Sequence, residues 1–314
     1  MSRSENLNLL QRIVLEMVWG LCWVIGRLPH FVQFRMLAPA LRFVIYRLIG
    51  YRKTVVIKNL HNSFPEKSEA EIRAICGRFY TILSEVMVSS MGLSNKRSYR
   101  NMFPKNRAHF EGDIYDILDI AANDSWIALT AHFGLWEYML FWSTFSNQRL
   151  MAVYHPLENP IFEELFKRLR GHHKVEPIPS SESLRFAMRN RKVYKGESYL
   201  LGLIADQNPT RRPDPYWHTF LNQDTVFFNG GEKIARKIGL PVRFIYQHRL
   251  SAGQYEMCYK PIWDGIEEVE PNEITSRYVA MLEQAINEQP EMWLWSHKRW
   301  KAKRPKVESD EMQG

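Results

Sequence analysis

The apolar positions change period near residue 125. Before that point they follow a helical spacing. Within 62–92, Ile72, Ile75, Phe79, Ile82, Leu83 and Val86 recur at intervals of three and four, and Ser68 with Glu71 has the pattern of a capping box. A helix is predicted there. Two earlier apolar blocks, 12–31 and 36–51, mix Trp and Arg with aliphatic residues. The uncharged run between Glu16 and Arg27 is shorter than the roughly 20 residues a simple membrane span requires. Arg42 and Arg47 interrupt the second block at helical spacing. Both blocks predict helices that lie in a membrane interface or make one strained span, with packing on the domain's own core as the alternative. No small-residue cleavage site follows the first block, so a removed signal peptide is not expected.

Beyond residue 125, short apolar runs alternate with helical patterns. Strands are predicted at 126–131, 149–154, 198–205, 241–250 and 254–260, and helices at 113–122, 135–146, 160–171, 181–192, 230–238 and 273–288. This alternation predicts an α/β domain with a mixed, largely parallel central sheet flanked by helices. No internal repeat is visible. The expected organisation is a membrane-associating helical segment over 1–51, one catalytic domain over 52–306 and a polar tail over 307–314. Ligands of such sheets bind beyond the carboxyl ends of the strands. His132 and Asp206 each follow a predicted strand, which puts two polar groups from distant sequence at one edge.

Composition narrows the partners. The formal net charge is +8, which suits an anionic partner such as acidic lipid, nucleic acid or an acidic carrier protein. Ten Trp and fourteen Tyr favour a membrane interface. No nucleic-acid motif accompanies the cations, so a nucleic-acid role is set aside. Three cysteines, Cys22, Cys76 and Cys258, are far apart and share no metal spacing. They predict a reducing compartment.

Candidate chemistry concentrates in "ALTAHFGLWEYMLFW" (128–142). Residues five apart do not share a face of a helix, so His132 is expected at the strand's end and Glu137 in the following turn or two. Gly134 would allow a sharp turn, and unpaired N–H groups at the helix start could stabilise an oxyanion. A carboxylate on one imidazole nitrogen would fix the tautomer while the other nitrogen takes a proton. By spacing alone the pair is weak, and a structural His with an exposed Glu is the alternative. Further along come Asp206, Gln207 and Asn208, then Arg211 and Arg212 in a Pro-rich loop. Arg168 and Arg170 fall at a helix end. "EMWLWSHKRWKAKRPK" (291–306) interleaves Trp with cations and is expected to meet acidic headgroups.

Taken together these motifs resemble the bacterial lipid A biosynthesis acyltransferases, the lauroyl/myristoyl-type branch of the lysophospholipid acyltransferase superfamily. The family's His, four residues, then Asp or Glu stands as His132-Phe-Gly-Leu-Trp-Glu137. In order there follow "YHPLENP" (154–160), "KRLRG" (167–171), "ADQNP" (205–209) and "WLWSHKRWK" (293–301), so the resemblance covers essentially the whole chain. The stretch 216–242 looks like Bacteroidetes members. The resemblance implies a glycerolipid acyltransferase-like fold with no metal and no cofactor. It implies an enzyme on the cytoplasmic face of the inner membrane that moves a fatty acyl chain from acyl carrier protein to a hydroxyl of a lipid A precursor. His132 would be the general base and Glu137 its orienting partner. The family's functional Arg and Asp would fall on Arg168, with Arg170 its close rival, and on Asp206, with Gln207 beside it. Arg211 and Arg212 are the candidates for docking the acidic carrier. In one departure, His155 stands where the family has Arg, which would make a headgroup contact there pH-dependent. Transfer to another membrane lipid, an aminolipid or glycolipid, and a non-catalytic membrane-binding role are the competing readings. The intact His132 and Glu137 argue against the last.

Overall fold

The computed structural model describes residues 7–95, 124–142, 146, 148–171, 175–208 and 216–304. The helix expected at 113–122, the tail at 307–314, Arg211 and Arg212 lie outside the described residues.

The N-terminal third is helical. Helix α1 (Leu9–Ile25) opens on a capping box in which the Asn8 side chain accepts from the Gln11 N–H and the Gln11 side chain reaches back. Helical structure resumes over 32–48, where wide π turns (Val32–Leu37 and Phe43–Leu48) flank a short α2 (Ala38–Arg42). Pro39, which has no N–H to give to the preceding turn, lies in α2. Helix α3 (Lys53–Ser63) was not expected, because its exposed face is polar and its apolar periodicity short. Helix α4 (Glu69–Gly92) is the predicted helix, with the Ser68–Glu71 capping box formed. Helices α1, α2 and α3 pack on α4.

At its far end α4 carries Glu85, only 1% exposed. Arg249 donates to both its oxygens, at 3.1 and 2.7 Å, and the Tyr255 hydroxyl donates at 2.6 Å. A buried carboxylate is tolerable only with such partners. This cluster ties the helical layer to the sheet.

The sheet has six strands in the order β3-β2-β4-β1-β7-β8. They are β1 (Trp126–Thr130), β2 (Arg149–Tyr154), β3 (Val175–Pro179), β4 (Tyr199–Ile204), β7 (Val242–Ser251) and β8 (Gln254–Trp263). All neighbours run parallel except β7 with β8. The expected mixed, largely parallel sheet is therefore present. Every residue of the central β1 is buried, which is why the strand reads as an unbroken apolar run. Helices α5 (Pro160–Gly171), α6 (Ser183–Asn190), α7 (Gly230–Ile238) and α8 (Glu273–Glu288) flank the sheet.

Three elements depart from expectation. Of the helix predicted over 135–146, the described residues show a 3-10 turn, Trp136–Phe141, that continues into helical Trp142. Strand β3 contains Pro177 and Pro179, which argue against a strand except at a sheet edge, where β3 lies. The stretch 216–227, for which no element is predicted, is a hairpin of β5 (Tyr216–Phe220) and β6 (Gln223–Phe227). Its two turn residues, Leu221 and Asn222, have φ of 49° and 60°. Asn suits that turn, but Leu hides it.

Candidate active site

Register builds the site. Strands β1 and β4 are parallel neighbours, and their ladder pairs Thr130 with Ile204. Two residues further along each chain stand His132 and Asp206. The Ala205 N–H still donates to the Thr130 carbonyl at 2.9 Å, so the strands remain together up to the polar pair. The His132 N–H donates to Asp206 Oδ2 at 3.0 Å, and Nδ1 of His132 lies 2.8 Å from Asp206 Oδ1.

This overturns the expected partner. The carboxylate on the imidazole is Asp206, supplied by the adjacent strand, and not Glu137. Glu137, one turn beyond, is held by Arg170, whose Nη2 donates to Oε1 at 2.9 Å. Five residues of chain carry Glu137 away into the 3-10 turn, while register brings Asp206 opposite.

Asp206 is 3% exposed. Its second oxygen also accepts from the Trp293 indole at 2.9 Å. Burial alone would raise its pKa. The His132 charge and the hydrogen bonds from His132 and Trp293 outweigh that and hold it below the ordinary carboxylate value. With Asp206 ionised, Nδ1 carries the imidazole proton and Nε2 offers a lone pair. The His132 side chain is 15% exposed, so that lone pair is within reach of a ligand. The Trp136 ring stands edge-on to the imidazole at 5.0 Å.

The backbone beyond His132 makes a sharp turn. Gly134 has φ +61°, and a Cβ there would come within 2.8 Å of Met292 Cε and 2.9 Å of Gln247 Oε1. Its N–H donates to the Met292 carbonyl at 2.9 Å, and the Leu135 N–H donates to Gln247 Oε1 at 2.7 Å. The Phe133 N–H donates to the Ala131 carbonyl at 2.8 Å. The N–H groups of residues 132–135 are thus all engaged and offer no oxyanion donor, whereas the expectation concerned the start of the helical turn at Trp136.

The C-terminal block is also not what its composition suggested. Trp293 and Trp295 are buried. Trp300 donates to Thr225 Oγ1 at 2.8 Å, and Phe133 bridges to Trp293. Trp293 and Trp295 bury their rings, Trp300 is partly buried, and each finds an acceptor for its N–H, so these Trp support the site. Arg299, 1% exposed, donates to Asn208 Oδ1 at 2.7 Å and to the Val226 carbonyl at 2.5 Å, and sits over the Phe227 ring. Burial pulls its pKa down to about 10. Burial likewise lowers His297 to about 4, although Asp206 opposes the shift. Trp293 and Arg299 were missed as site residues, and Asn208 was noted only as the neighbour of Asp206 and Gln207. The signal for Trp293 and Arg299 was a Trp-rich block whose fold partner the sequence does not name.

Gln207 follows Asp206 at the same edge, and its amide nitrogen is 3.1 Å from His132 Nε2 and 3.4 Å from Nδ1. Arg170 is the arginine at this edge. Arg168 lies on the opposite side of its helix turn, where it pairs with Glu164 and with Glu16 of α1. His155 is exposed beyond β2. Among the described residues, His248, Glu256 and Cys258 on β7 and β8 place donor atoms within 4.8 Å of one another and could hold a metal. They are not among the groups that contact His132.

A hydrogen-bonded Asp–His pair with an accessible Nε2 is suited to withdrawing a proton from a hydroxyl. None of the curated proteins compared with the chain matches it. The family model for bacterial lipid A biosynthesis acyltransferases matches residues 1–302. The chain belongs to the bacterial lipid A biosynthesis acyltransferase family, and its activity is that of an acyltransferase.

Proposed function

We propose that the protein transfers a fatty acyl group from acyl carrier protein to a hydroxyl of a lipid A precursor, at the cytoplasmic face of the inner membrane. The observation that carries the chemistry is the His132 imidazole held on Nδ1 by a buried, ionised Asp206. Nε2 takes the hydroxyl proton as the oxygen attacks the thioester carbonyl. Asp206 stays ionised and stabilises the imidazolium. The tetrahedral intermediate collapses by breaking the C–S bond, and the imidazolium returns its proton to the departing thiolate. The products are an ester and a free thiol.

The N-terminal helices support a membrane-surface location. Leu9, Ile13, Met17, Leu21 and Val24 on α1 are exposed, as are Phe31, Met36, Phe43, Leu48 and Ile49 beyond it. Such a patch is unusual for a surface that faces only water. Arg27, Arg35 and Arg47 lie along the same stretch and suit anionic headgroups. No helix among the described residues is long and apolar enough to cross a membrane, so this reading has the helices lying in the interface. The exposed His155 in place of an arginine favours a second reading, the same chemistry on a different headgroup.

The test uses the purified full-length chain in detergent with acyl carrier protein thioester and lipid A precursor, the product followed by mass spectrometry. A product heavier by one acyl group is expected, absent with His132→Ala. Carrier thioester should be preferred over the coenzyme A thioester. That preference should weaken at high salt and with the Arg211→Glu/Arg212→Glu double variant, because such docking is screened surface electrostatics. Transfer to an aminolipid or glycolipid and none to the lipid A precursor would favour the second reading. Equal use of both donors at every salt concentration would remove the carrier from the proposal.

A further inference from the structure

The N–H groups of residues 132–135 are engaged within the protein, so an oxyanion donor must come from another group beside His132. We propose that the side-chain amide of Gln207 supplies it. The proposal rests on the acyl-transfer reading above.

Four observations lead there. First, His132 N–H is committed to Asp206, Phe133 N–H to Ala131, Gly134 N–H to Met292 and Leu135 N–H to Gln247. Turning any of them toward a substrate would break a hydrogen bond that the protein already makes.

Second, the Gln207 amide nitrogen sits beside the reacting atom, 3.1 Å from Nε2 and 3.4 Å from Nδ1 of His132. Approach along the Nε2 lone pair would leave Nδ1 clearly farther away. The near-equal distances therefore put the amide over the face of the ring. The lone pair stays open for the hydroxyl, and the two amide hydrogens keep their capacity to donate. Gln207 is exposed, so a bound thioester can meet it.

Third, the backbone that presents Gln207 is fixed on both sides. Asp206 is buried and accepts three hydrogen bonds. Asn208 accepts from Arg299 at 2.7 Å and donates to the Lys298 carbonyl at 3.0 Å. Fixing the backbone on both sides limits how far the amide can move away from His132, and limited reorganisation is what makes an oxyanion site effective. Arg299 acts here as a positioning residue, through Asn208.

Fourth, the chemical type fits. As the hydroxyl adds, a negative oxygen forms at the carbonyl and a positive imidazolium forms at His132. A cationic donor against that ring would repel the imidazolium. An amide offers an N–H dipole with no net charge, so it stabilises the oxyanion without opposing the base. The competing donors are the indole N–H of Trp136, whose ring also borders His132, and the backbone N–H groups at the start of the 3-10 turn.

The experiment measures thiol release and acyl transfer with wild type, Gln207→Met, Gln207→Glu and Trp136→Phe. Circular dichroism and the melting temperature serve as folding checks. Met keeps the length of the side chain without a donor, and Glu keeps its shape while offering only acceptors. Both are expected to lower kcat by about 10²–10³-fold, the usual effect of removing one oxyanion donor, with KM changed little. A long-chain trifluoromethyl ketone, whose hydrate mimics the tetrahedral intermediate, should lose affinity for both variants, whereas the parent acyl amide should not. Wild-type activity with Gln207→Met at a similar kcat overturns the oxyanion role and leaves acyl transfer standing. A loss confined to Trp136→Phe also overturns it and moves the donor to the indole. A wild type that releases no thiol from any acyl thioester overturns both readings.

Discussion

Replacing Asp206 by Asn distinguishes the two partners that His132 could have had. The amide has the carboxylate's shape but only one acceptor oxygen. Oδ2 receives two N–H donors, from the His132 backbone and the Trp293 indole, so the remaining oxygen must stay there. The amide NH2 then faces Nδ1 and forces that nitrogen to accept. The ring proton moves to Nε2, the atom that must take the substrate proton, and the base is lost in that tautomer. The charge is lost as well. An imidazolium and a carboxylate with charge centres about 4 Å apart attract by about 4 kcal/mol at an effective dielectric of about 20. At about 1.4 kcal/mol per decade this corresponds to roughly 10³ in rate. Asp206→Asn should therefore lower kcat by about 10³-fold and remain folded. Glu137→Gln should change KM more than kcat, because it disturbs Arg170 and leaves the imidazole untouched. Steady-state kinetics of both variants, with thermal unfolding as a control, decide the matter. Asp206→Asn within tenfold of wild type, together with a 10³-fold loss in Glu137→Gln, would refute the reasoning and return the dyad to His132 and Glu137.

Other expectations follow from the surrounding structure. Glu85→Ala removes the partner of the half-buried Arg249 and should cost about 3 kcal/mol in denaturant unfolding; a change below about 0.5 kcal/mol would show that the cluster does not hold α4 to the sheet. His297 is lowered from 6.5 to about 4 in the folded state, so between those values the unfolded chain binds a proton that the folded chain does not. Stability should fall as pH drops from 6.5 to 4, and less so in His297→Gln, followed by melting temperature. An equal slope in the two proteins would contradict this. The protein should stay with the membrane fraction after a high-salt wash and leave it in detergent, because apolar insertion is not screened; release by salt alone would remove the interfacial helices from the account.

Much of the fold is legible along the chain because its causes are local. The Ser68–Glu71 box and the spacing of Ile72 through Val86 specify α4 without reference to anything distant. The unbroken apolar runs at 126–130 and 199–204 mark buried parallel strands. Gly134 at a strand's end marks the turn that its φ of +61° requires. The family is legible too, since it rests on ordered motifs that the chain carries whatever its folded form. His132 and Asp206 are each visible as polar residues past a strand.

What only the tertiary structure decided is which polar groups meet. Sequence proximity joined His132 to Glu137, but the sharp turn at Gly134 and the 3-10 turn carry Glu137 away, whereas the register between β1 and β4 brings residues of two distant segments side by side. The same reason explains Pro177 and Pro179 in β3, which are acceptable only once the strand lies at an edge. It explains the Trp-rich block, whose indoles read as a surface belt until Asp206 and Thr225 appear as their acceptors. Hydrogen bonds depend on angstrom distances between groups, and a sequence records only how far apart those groups lie along the chain.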